Sequence, residues 1–368
     1  MKTKEPGTLR NVNILFLVVI ILVLIFGSMM QSTAPLWGLV GTQIFLILLP
    51  TLIYLRVSKL PLRETIRWRW PGGRLAILSI LLGISVIPFA LWLGNLFSHL
   101  LGYTPGIHPG FFPSTSGQAV LMFAGIAILA PLCEEILFRG VIQPPYERFG
   151  PWKAVLFVGF LFLVFHLSLL RLFALIPVAL LLGYLVWASN SLIPAVLAHA
   201  AYNAPIAILN NLSSLRPDIP WETYISLPLA IAGLLGLVVG LVLFHRYATT
   251  SRPLDAHQPS FSPHNSWPVL IILVIFVFTA SLEFVFSRFP DLLVARPLQL
   301  TVPPLEQPKT WHYELRDPLD TTVGELQCQM TPGEVIYSLE CQKEVERFTV
   351  ELDQSLFHME STTSHWNV

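Results

Sequence analysis

Charged residues are scarce in this chain. Asp, Glu, Lys and Arg make up 12% of its 368 residues, whereas hydrophobic residues make up 54%. A typical soluble domain carries about 25% charged residues, roughly twice as many. Several apolar runs approach the roughly 20 residues that a helix needs to cross a bilayer. The composition therefore excludes an ordinary soluble protein and predicts a polytopic membrane protein embedded in a lipid bilayer.

The few charges are divided unevenly along the chain. Residues 1–287 contain 16 Lys and Arg against 9 Asp and Glu, a net charge of +7, and residues 288–368 contain 6 against 13, a net charge of −7. The basic residues of the first part lie in short loops between apolar runs, which is typical of membrane topology and not of a nucleic-acid surface. We therefore expect no nucleic-acid partner, and we interpret residues 288–368 as a soluble tail.

Nine apolar runs are interpreted as membrane spans. The first is long for a signal peptide and no small-residue cleavage site follows it, so we interpret it as a retained helix. If the N-terminus is cytoplasmic, the basic loops at 56–74, 139–153 and 245–252 all lie inside, as the positive-inside rule requires. An odd number of spans then places the tail outside a cell membrane of the bacterial type. The predicted spans are 12–30, 36–55, 75–97, 117–143, 153–170, 172–188, 192–211, 224–244 and 267–287.

The acidic tail has a different sequence pattern. Four of its segments alternate apolar and polar residues, which is the period of half-buried strands. A hairpin with its turn at Met330–Glu334 would bring Cys328 and Cys341 to facing positions. A disulfide there would suit an oxidising exterior and a domain too small for a large core, and two unpaired thiols are the alternative. The predicted strands are Trp311–Leu315, Val323–Gln329, Val335–Glu340 and Arg347–Leu352.

These patterns together predict the fold class and the divisions of the chain. We expect an all-α polytopic membrane bundle of about eight to nine transmembrane helices with a small C-terminal β-rich extramembrane domain. The expected divisions are N-terminal transmembrane helices at 1–115, a central transmembrane core at 117–245, a linker at 246–266, a last transmembrane helix at 267–287 and the acidic tail at 288–368.

A cluster of charge interrupts the fourth apolar run. An ionisable side chain at membrane depth costs at least about 2.5–3.5 kcal/mol, so such residues usually have a function. On a helix, Glu135 precedes Arg139 by four residues, an order that favours an ion pair. Glu134 lies about 140° away from Arg139 around the helix and needs a partner from another segment. Without a cation, Glu134 could exchange protons as a general base; the alternative is that both glutamates only join helices.

Two later apolar runs contain histidine. His166 follows Phe162 by one helical turn, and His199 precedes Asn203 by one turn, among small residues that allow close helix approach. Each could simply be a buried polar group with its hydrogen bonds satisfied. Three polar sites on three helices nonetheless indicate one shared cavity. Cys133 has no base in its own turn, and we interpret it as a packing residue.

The three motifs together resemble a known family. They read Glu-Glu-x-x-x-Arg, Phe-x-x-x-His and His-x-x-x-Asn, and they resemble the CPBP family, the CAAX prenyl protease and bacteriocin-processing membrane proteins also called Abi or type II CAAX endopeptidases. The resemblance covers about residues 117–211 and not the last span or the tail. It implies intramembrane hydrolysis of a peptide bond in a membrane-associated, possibly lipidated, protein or peptide.

The resemblance also implies a role for each motif residue. Glu134 would activate a water as general base, and His166 would hold or polarise that water. His199 and Asn203 would donate hydrogen bonds to the oxyanion of the tetrahedral intermediate. The structural ion pair of Glu135 and Arg139 would fix the helix end.

The cofactor and the class of protein have alternatives. Glu134, His166 and His199 could ligate zinc, but the sequence lacks His-Glu-x-x-His, and Glu, His and Asn can also act on water without metal. A zinc metalloprotease and a metal-free glutamate protease therefore both stay open. The alternative to an enzyme is a non-catalytic membrane scaffold or bacteriocin-immunity protein with the same fold. A proton-coupled transporter is a third class, but the spans show no internal repeat.

Overall fold

The computed structural model describes most of the apolar part of the chain and four segments of the tail. The described residues are 8–102, 113, 115–215, 226–248 and 263–288, and the strand segments 309–316, 322–332, 336–343 and 346–353. The chain divides into two compact units, Met1–Leu293 and Val294–Val368.

The first unit is built from apolar helices. Seven helices of the described part are long and apolar enough to cross a membrane. The chain is therefore a helical integral membrane protein, as the composition predicts. The helices are α1 (Leu9–Thr33), α2 (Pro35–Val57), α3 (Gly73–Leu100), α4 (Ser116–Phe149), α5 (Pro151–Phe165), α6 (Leu169–Ser189), α7 (Ile193–Leu215), α8 (Leu227–Tyr247) and α9 (Pro263–Arg288), with a one-turn helix at Leu62–Thr65 between α2 and α3.

Two helices differ from the predicted spans. Helix α5 ends at Phe165, five residues before the predicted end of the fifth span, and its 15 residues cover only about 22 Å. That length is short of a hydrocarbon core of about 30 Å. The apolar stretch Ile193–Leu209 within α7 is also shorter than the seven long apolar helices. Hydropathy finds both segments, but it does not show that the chain turns at His166.

The fourth span, predicted to end at residue 143, continues through Pro144 and Pro145. The helical segment Gln143–Tyr146 begins just before them, and α4 continues to Phe149. The π-helical segment Ile136–Ile142 precedes these prolines, which therefore lie in the first turn of a new α-helical segment. Proline is tolerated there because its missing N–H has no obligatory intrahelical partner. The helix ends instead at Gly150, whose φ of 111° is readily adopted by glycine.

Helix α3 lies at the centre of the bundle. It packs against α6, α7 and α8. The buried core that these helices share with α1, α4 and α5 contains Phe16, Leu82, Phe138 and Phe162. Helix α9 packs against α1, so the last helix is part of the same unit as the first.

The loop between α2 and α3 is fixed to the end of α4. The guanidinium of Arg67 donates to both carboxylate oxygens of Glu147, at 2.9 and 2.7 Å. The carbonyl of Arg67 accepts from the backbone N–H of Leu192 at 3.0 Å. Two of the basic loops that the sequence assigns to one side, 56–74 and 139–153, therefore meet at one end of the bundle.

The described segments of the second unit are four strands in the order β1-β2-β3-β4, each antiparallel to its neighbour. In the pairing of β2 with β3, Cys328 lies directly opposite Cys341. The strands are β1 (Lys309–Arg316), β2 (Thr322–Pro332), β3 (Ile336–Lys343) and β4 (Glu346–Asp353).

A glycine sets the distance between α3 and α7. Gly83 is buried, and a Cβ at this position would collide with the carbonyl of Ala198, the residue before His199. We expect Gly83→Ala to lower the free energy of unfolding by about 1–3 kcal/mol, because the two backbones must separate. Thermal unfolding in detergent measures this. Gly117→Ala is the matched control, because nothing lies within 4 Å of a Cβ there. Equal free energies of unfolding for Gly83→Ala and Gly117→Ala would contradict the close approach of α3 and α7.

Candidate active site

The two glutamates lie in a short α-helical segment between two π-helical ones. The segment Ala130–Glu135 is flanked by Ala124–Leu129 and Ile136–Ile142 within α4. π-Helical turns inside α-helices occur frequently at functional sites. Glu134 is 6% exposed and Glu135 is fully buried. Both carboxylates therefore depend on protein partners and not on solvent.

Glu135 has two partners on one oxygen. Its Oε1 accepts from Nη1 of Arg139 at 3.1 Å, the i,i+4 pair that the sequence spacing predicts, and from Nδ1 of His199 at 2.9 Å. The carboxylate thus links α4 to α7. When His199 donates from Nδ1, its Nε2 is directed to other partners. The sequence analysis assigned His199 to the oxyanion and did not predict that Glu135 holds it.

Arg139 is fully buried and has further contacts besides its ion pair with Glu135. Its Nη2 donates to the carbonyl of Ala179 on α6 at 3.0 Å. Its guanidinium carbon lies 4.4 Å from the ring centroid of Phe162, a cation–π contact. The arginine therefore joins α4, α5 and α6.

The ring of Phe162 lies among the polar side chains of the site. Its centroid is 4.8 Å from the His166 ring and 5.8 Å from the His199 ring, both in edge-to-face geometry, in addition to its contact with Arg139. An apolar surface between these groups excludes water and strengthens the electrostatic interactions around it. In the sequence Phe162 is only a motif position; in the structure its ring separates Arg139 from the two histidines.

Glu134 is paired with a neutral group. Its Oε1 accepts from the amide Nε2 of Gln43 on α2 at 3.0 Å, and Gln43 is itself buried. Sequence reasoning missed Gln43, although an amide inside the apolar run 36–55 was a signal. Among the described residues, Oε1 of Gln43 and Oε2 of Glu135 are buried acceptors that have no hydrogen-bond donor. Two acceptors of the site are therefore unsatisfied and could take hydrogen bonds from a bound molecule.

His166 is the last residue before the chain turns from α5 to α6. Its Nδ1 lies 2.8 Å from the carbonyl of Phe162. Because a carbonyl only accepts, Nδ1 carries the hydrogen, and the neutral ring has a lone pair on Nε2. His166 interacts electrostatically with His199 and Arg139, and Glu134 also interacts with these two residues. Both histidine rings contact Phe162, and His199 bonds to Glu135, so the structure brings the two histidines close to the pair of glutamates.

Asn203 connects α7 to the first π-helical segment of α4. Its Nδ2 donates to the carbonyl of Ile126 at 2.9 Å. One of its two amide hydrogens is therefore used in a helix–helix contact, which leaves one for another acceptor. Cys133 is buried in the core without a disulfide partner.

The side chains do not form a preorganised metal site. In the part of the chain that the structure describes, no three His, Cys, Asp or Glu side chains are grouped as ligands of one ion. The three residues that could ligate zinc, Glu134, His166 and His199, are thus not grouped around one ion position in this geometry.

The buried ion pair predicts an asymmetry between the adjacent glutamates. Glu135→Leu leaves the guanidinium of Arg139 buried without its carboxylate, and we expect the free energy of unfolding to fall by about 3–5 kcal/mol. Glu134→Gln leaves every buried cation with its bonded carboxylate, so we expect its melting temperature to stay near that of the wild type. Thermal unfolding in detergent distinguishes the two. Equal losses of stability would contradict the separate roles of the carboxylates.

A family model matches this part of the chain. The model described as Type II CAAX prenyl endopeptidase Rce1-like matches residues 116–205, which include all three motifs. No curated protein and no solved structure matches the chain. The match leaves helices α1 to α3 and everything after residue 205 outside it. Over residues 116–205 the chain is therefore similar to the CPBP, or type II CAAX prenyl endopeptidase, family, as its motifs predict.

Proposed function

We propose that this chain is an intramembrane endopeptidase of the CPBP type. One observation carries the proposal: two adjacent buried carboxylates have different hydrogen-bond partners. Glu135 takes both Arg139 and His199, whereas the hydrogen bond to Glu134 comes from the neutral amide of Gln43. Glu134 is therefore the carboxylate that is available to accept a proton. The family match supports proteolysis as the reaction.

In the proposed mechanism, Glu134 is the general base. A water in the site donates one hydrogen bond to Glu134 and a second to Nε2 of His166, the nitrogen that has the lone pair. Glu134 takes a proton from this water, and the water oxygen bonds to the carbonyl carbon of the peptide. Gln43 holds the carboxylate in position through its hydrogen bond. Glu134 then gives its proton to the amide nitrogen as the C–N bond breaks.

The negative charge that develops on the carbonyl oxygen needs donors. In this mechanism His199 supplies one from Nε2, while its Nδ1 stays bonded to Glu135. The amide hydrogen of Asn203 that is not bonded to Ile126 supplies the second. Donors fixed in a dry site stabilise an oxyanion more strongly than donors in water. The conditional zinc ligands are not assembled, so this mechanism has no metal-dependent step.

The substrate follows from the location of the site. Its residues lie on apolar helices, so a water-soluble peptide would have to leave water to reach them. We propose a membrane-associated protein or peptide, which could carry a lipid. We also propose that the N-terminus is cytoplasmic and that the tail is an extracytoplasmic β-rich domain. The positions of the basic loops support this orientation.

Loss of the general base is the central test of the proposed activity. We expect Glu134→Gln to lower the cleavage of detergent-reconstituted, membrane-tethered quenched peptides by at least about a hundredfold, because the amide cannot take a proton from water. The rate of fluorescence release measures cleavage. Gln43→Leu should cost about tenfold, the loss of one hydrogen bond to a charged group. Thr51→Ala on the same helix is the control, because its hydroxyl bonds only to its own helix.

Two outcomes of this assay would overturn parts of the proposal. Full activity of Glu134→Gln would end the role of this residue. A wild-type protein that binds the peptides and cleaves none would favour the non-catalytic scaffold or immunity protein. A chelator series belongs in the same assay: unchanged cleavage agrees with the mechanism above, whereas loss reversed by zinc would replace it with a metal-dependent one.

The tail provides a separate test of topology. Cys328 and Cys341 are opposite each other in the pairing of β2 with β3, a backbone position from which two thiols can be bridged. We propose a disulfide between them, facing the exterior. A membrane-impermeant thiol reagent added to intact cells should label these cysteines only after reduction. Cys328→Ser/Cys341→Ser is the control for background labelling. Labelling that requires permeabilised cells would place the tail in the cytoplasm.

A further inference from the structure

The turn that carries His166 is short and conformationally strained. Three residues, His166, Leu167 and Ser168, connect α5 to α6. Leu167 has a φ of 49°, in the left-handed region that a residue with a Cβ rarely adopts. Helix α5 is shorter than a hydrocarbon core, so a turn at its end can lie within the bilayer, where backbone groups find little water. Some other part of the protein must satisfy them.

The partner of this turn comes from the last helix. Glu283 of α9 accepts from the hydroxyl of Ser168 on Oε1 and from the backbone N–H of Leu169 on Oε2, both at 2.7 Å. Its two oxygens therefore hold two consecutive residues at the start of α6. A negative charge at this place is also favoured by the positive end of the helix dipole. Glu283 is the one acidic residue in the sequence of α9, where apolar residues surround it.

We infer that Glu283 is a positioning residue for His166, so that the active site depends on a helix outside the segment that matches the family. The inference rests on the proposed function, because it assigns Glu283 to the geometry of the water-binding histidine. The physical link is short: Ser168 and Leu169 are two and three residues after His166, and the only intervening residue has a strained backbone. A turn released at Ser168 relaxes at Leu167, and the imidazole then leaves its edge contact with Phe162.

The inference also explains why the chain continues beyond the matched segment. Residues 206–368 lie outside the match, and α9 is the last apolar helix among the described residues. Helix α9 packs against α1, α5 and α6, so it is in a position to bring a carboxylate to the turn between α5 and α6. Among the described residues, the acidic side chain that bonds to Ser168 and to the N–H of Leu169 is Glu283, which lies outside the matched residues 116–205.

The experiment compares three variants of α9 in the full-length protein. Glu283→Ala removes both acceptors, Glu283→Gln keeps one acceptor oxygen, and Thr279→Ala is the control, because that hydroxyl bonds only to Phe276 of its own helix. The first readout is amide hydrogen exchange at the His166–Leu169 turn in detergent, which needs no substrate. We expect exchange at Leu169 to be about tenfold faster in Glu283→Ala, intermediate in Glu283→Gln and unchanged in Thr279→Ala.

The second readout is the kinetics of peptide cleavage. We expect Glu283→Ala to lower kcat by about 10- to 100-fold, the cost of a small misplacement of a catalytic group. KM should stay within about twofold, because the peptide does not contact Glu283 in this scheme. Glu283→Gln should recover part of kcat. If Glu283→Ala fails to fold, the same two readouts are compared between Glu283→Gln and Thr279→Ala. Faster exchange and a lower kcat in Glu283→Gln then support the inference.

The outcomes separate this inference from the proposed function. A turn that exchanges no faster in Glu283→Ala than in Thr279→Ala overturns the inference, and so does faster exchange with an unchanged kcat. A wild-type protein without peptidase activity overturns the proposed function instead. Exchange at the turn then still decides whether Glu283 holds it.

Discussion

The carboxylate of Glu135 is the group on which the arrangement of the site depends. It is fully buried, and a single oxygen accepts from both Arg139 and His199. A buried charge that loses its partner is strongly destabilising, so this contact fixes α4 and α7 relative to each other. It also determines the environment of the adjacent residue. Because the arginine and the histidine bond to Glu135, Glu134 is left with a neutral amide, and two chemically identical neighbours acquire different tasks.

The site is assembled from more of the chain than the family match covers. Helices α4, α5 and α7 supply the motif residues, but Gln43 comes from α2 and Glu283 from α9, on either side of residues 116–205. Both residues are polar side chains in apolar helices, where their cost requires a specific partner. Each one bonds to a group of the catalytic segment. The flanking helices are therefore part of the site and not only a support for it.

Local features of the site could be predicted and distant ones could not. The pairing of Glu135 with Arg139 follows from a spacing of four residues on one helix. The bonds from Gln43 to Glu134 and from Ser168 to Glu283 join residues 91 and 115 positions apart, and no periodicity indicates such pairs. The predicted end of the fourth span at residue 143 was wrong, because the helix continues through Pro144 and Pro145 after a π-helical segment. The short α5 was missed because hydropathy does not detect a turn between two apolar helices.

The sequence by itself determined that this is a helical membrane protein, where most of its apolar helices lie and which three motifs fall in the segment that matches the family. These properties depend on composition and short-range spacing, which a single chain displays directly. Only the tertiary structure decided which carboxylate holds His199, which ring separates the polar groups and which helix holds the turn at His166. Those decisions depend on contacts between helices, because in a dry interior each buried polar group is governed by the one partner that reaches it.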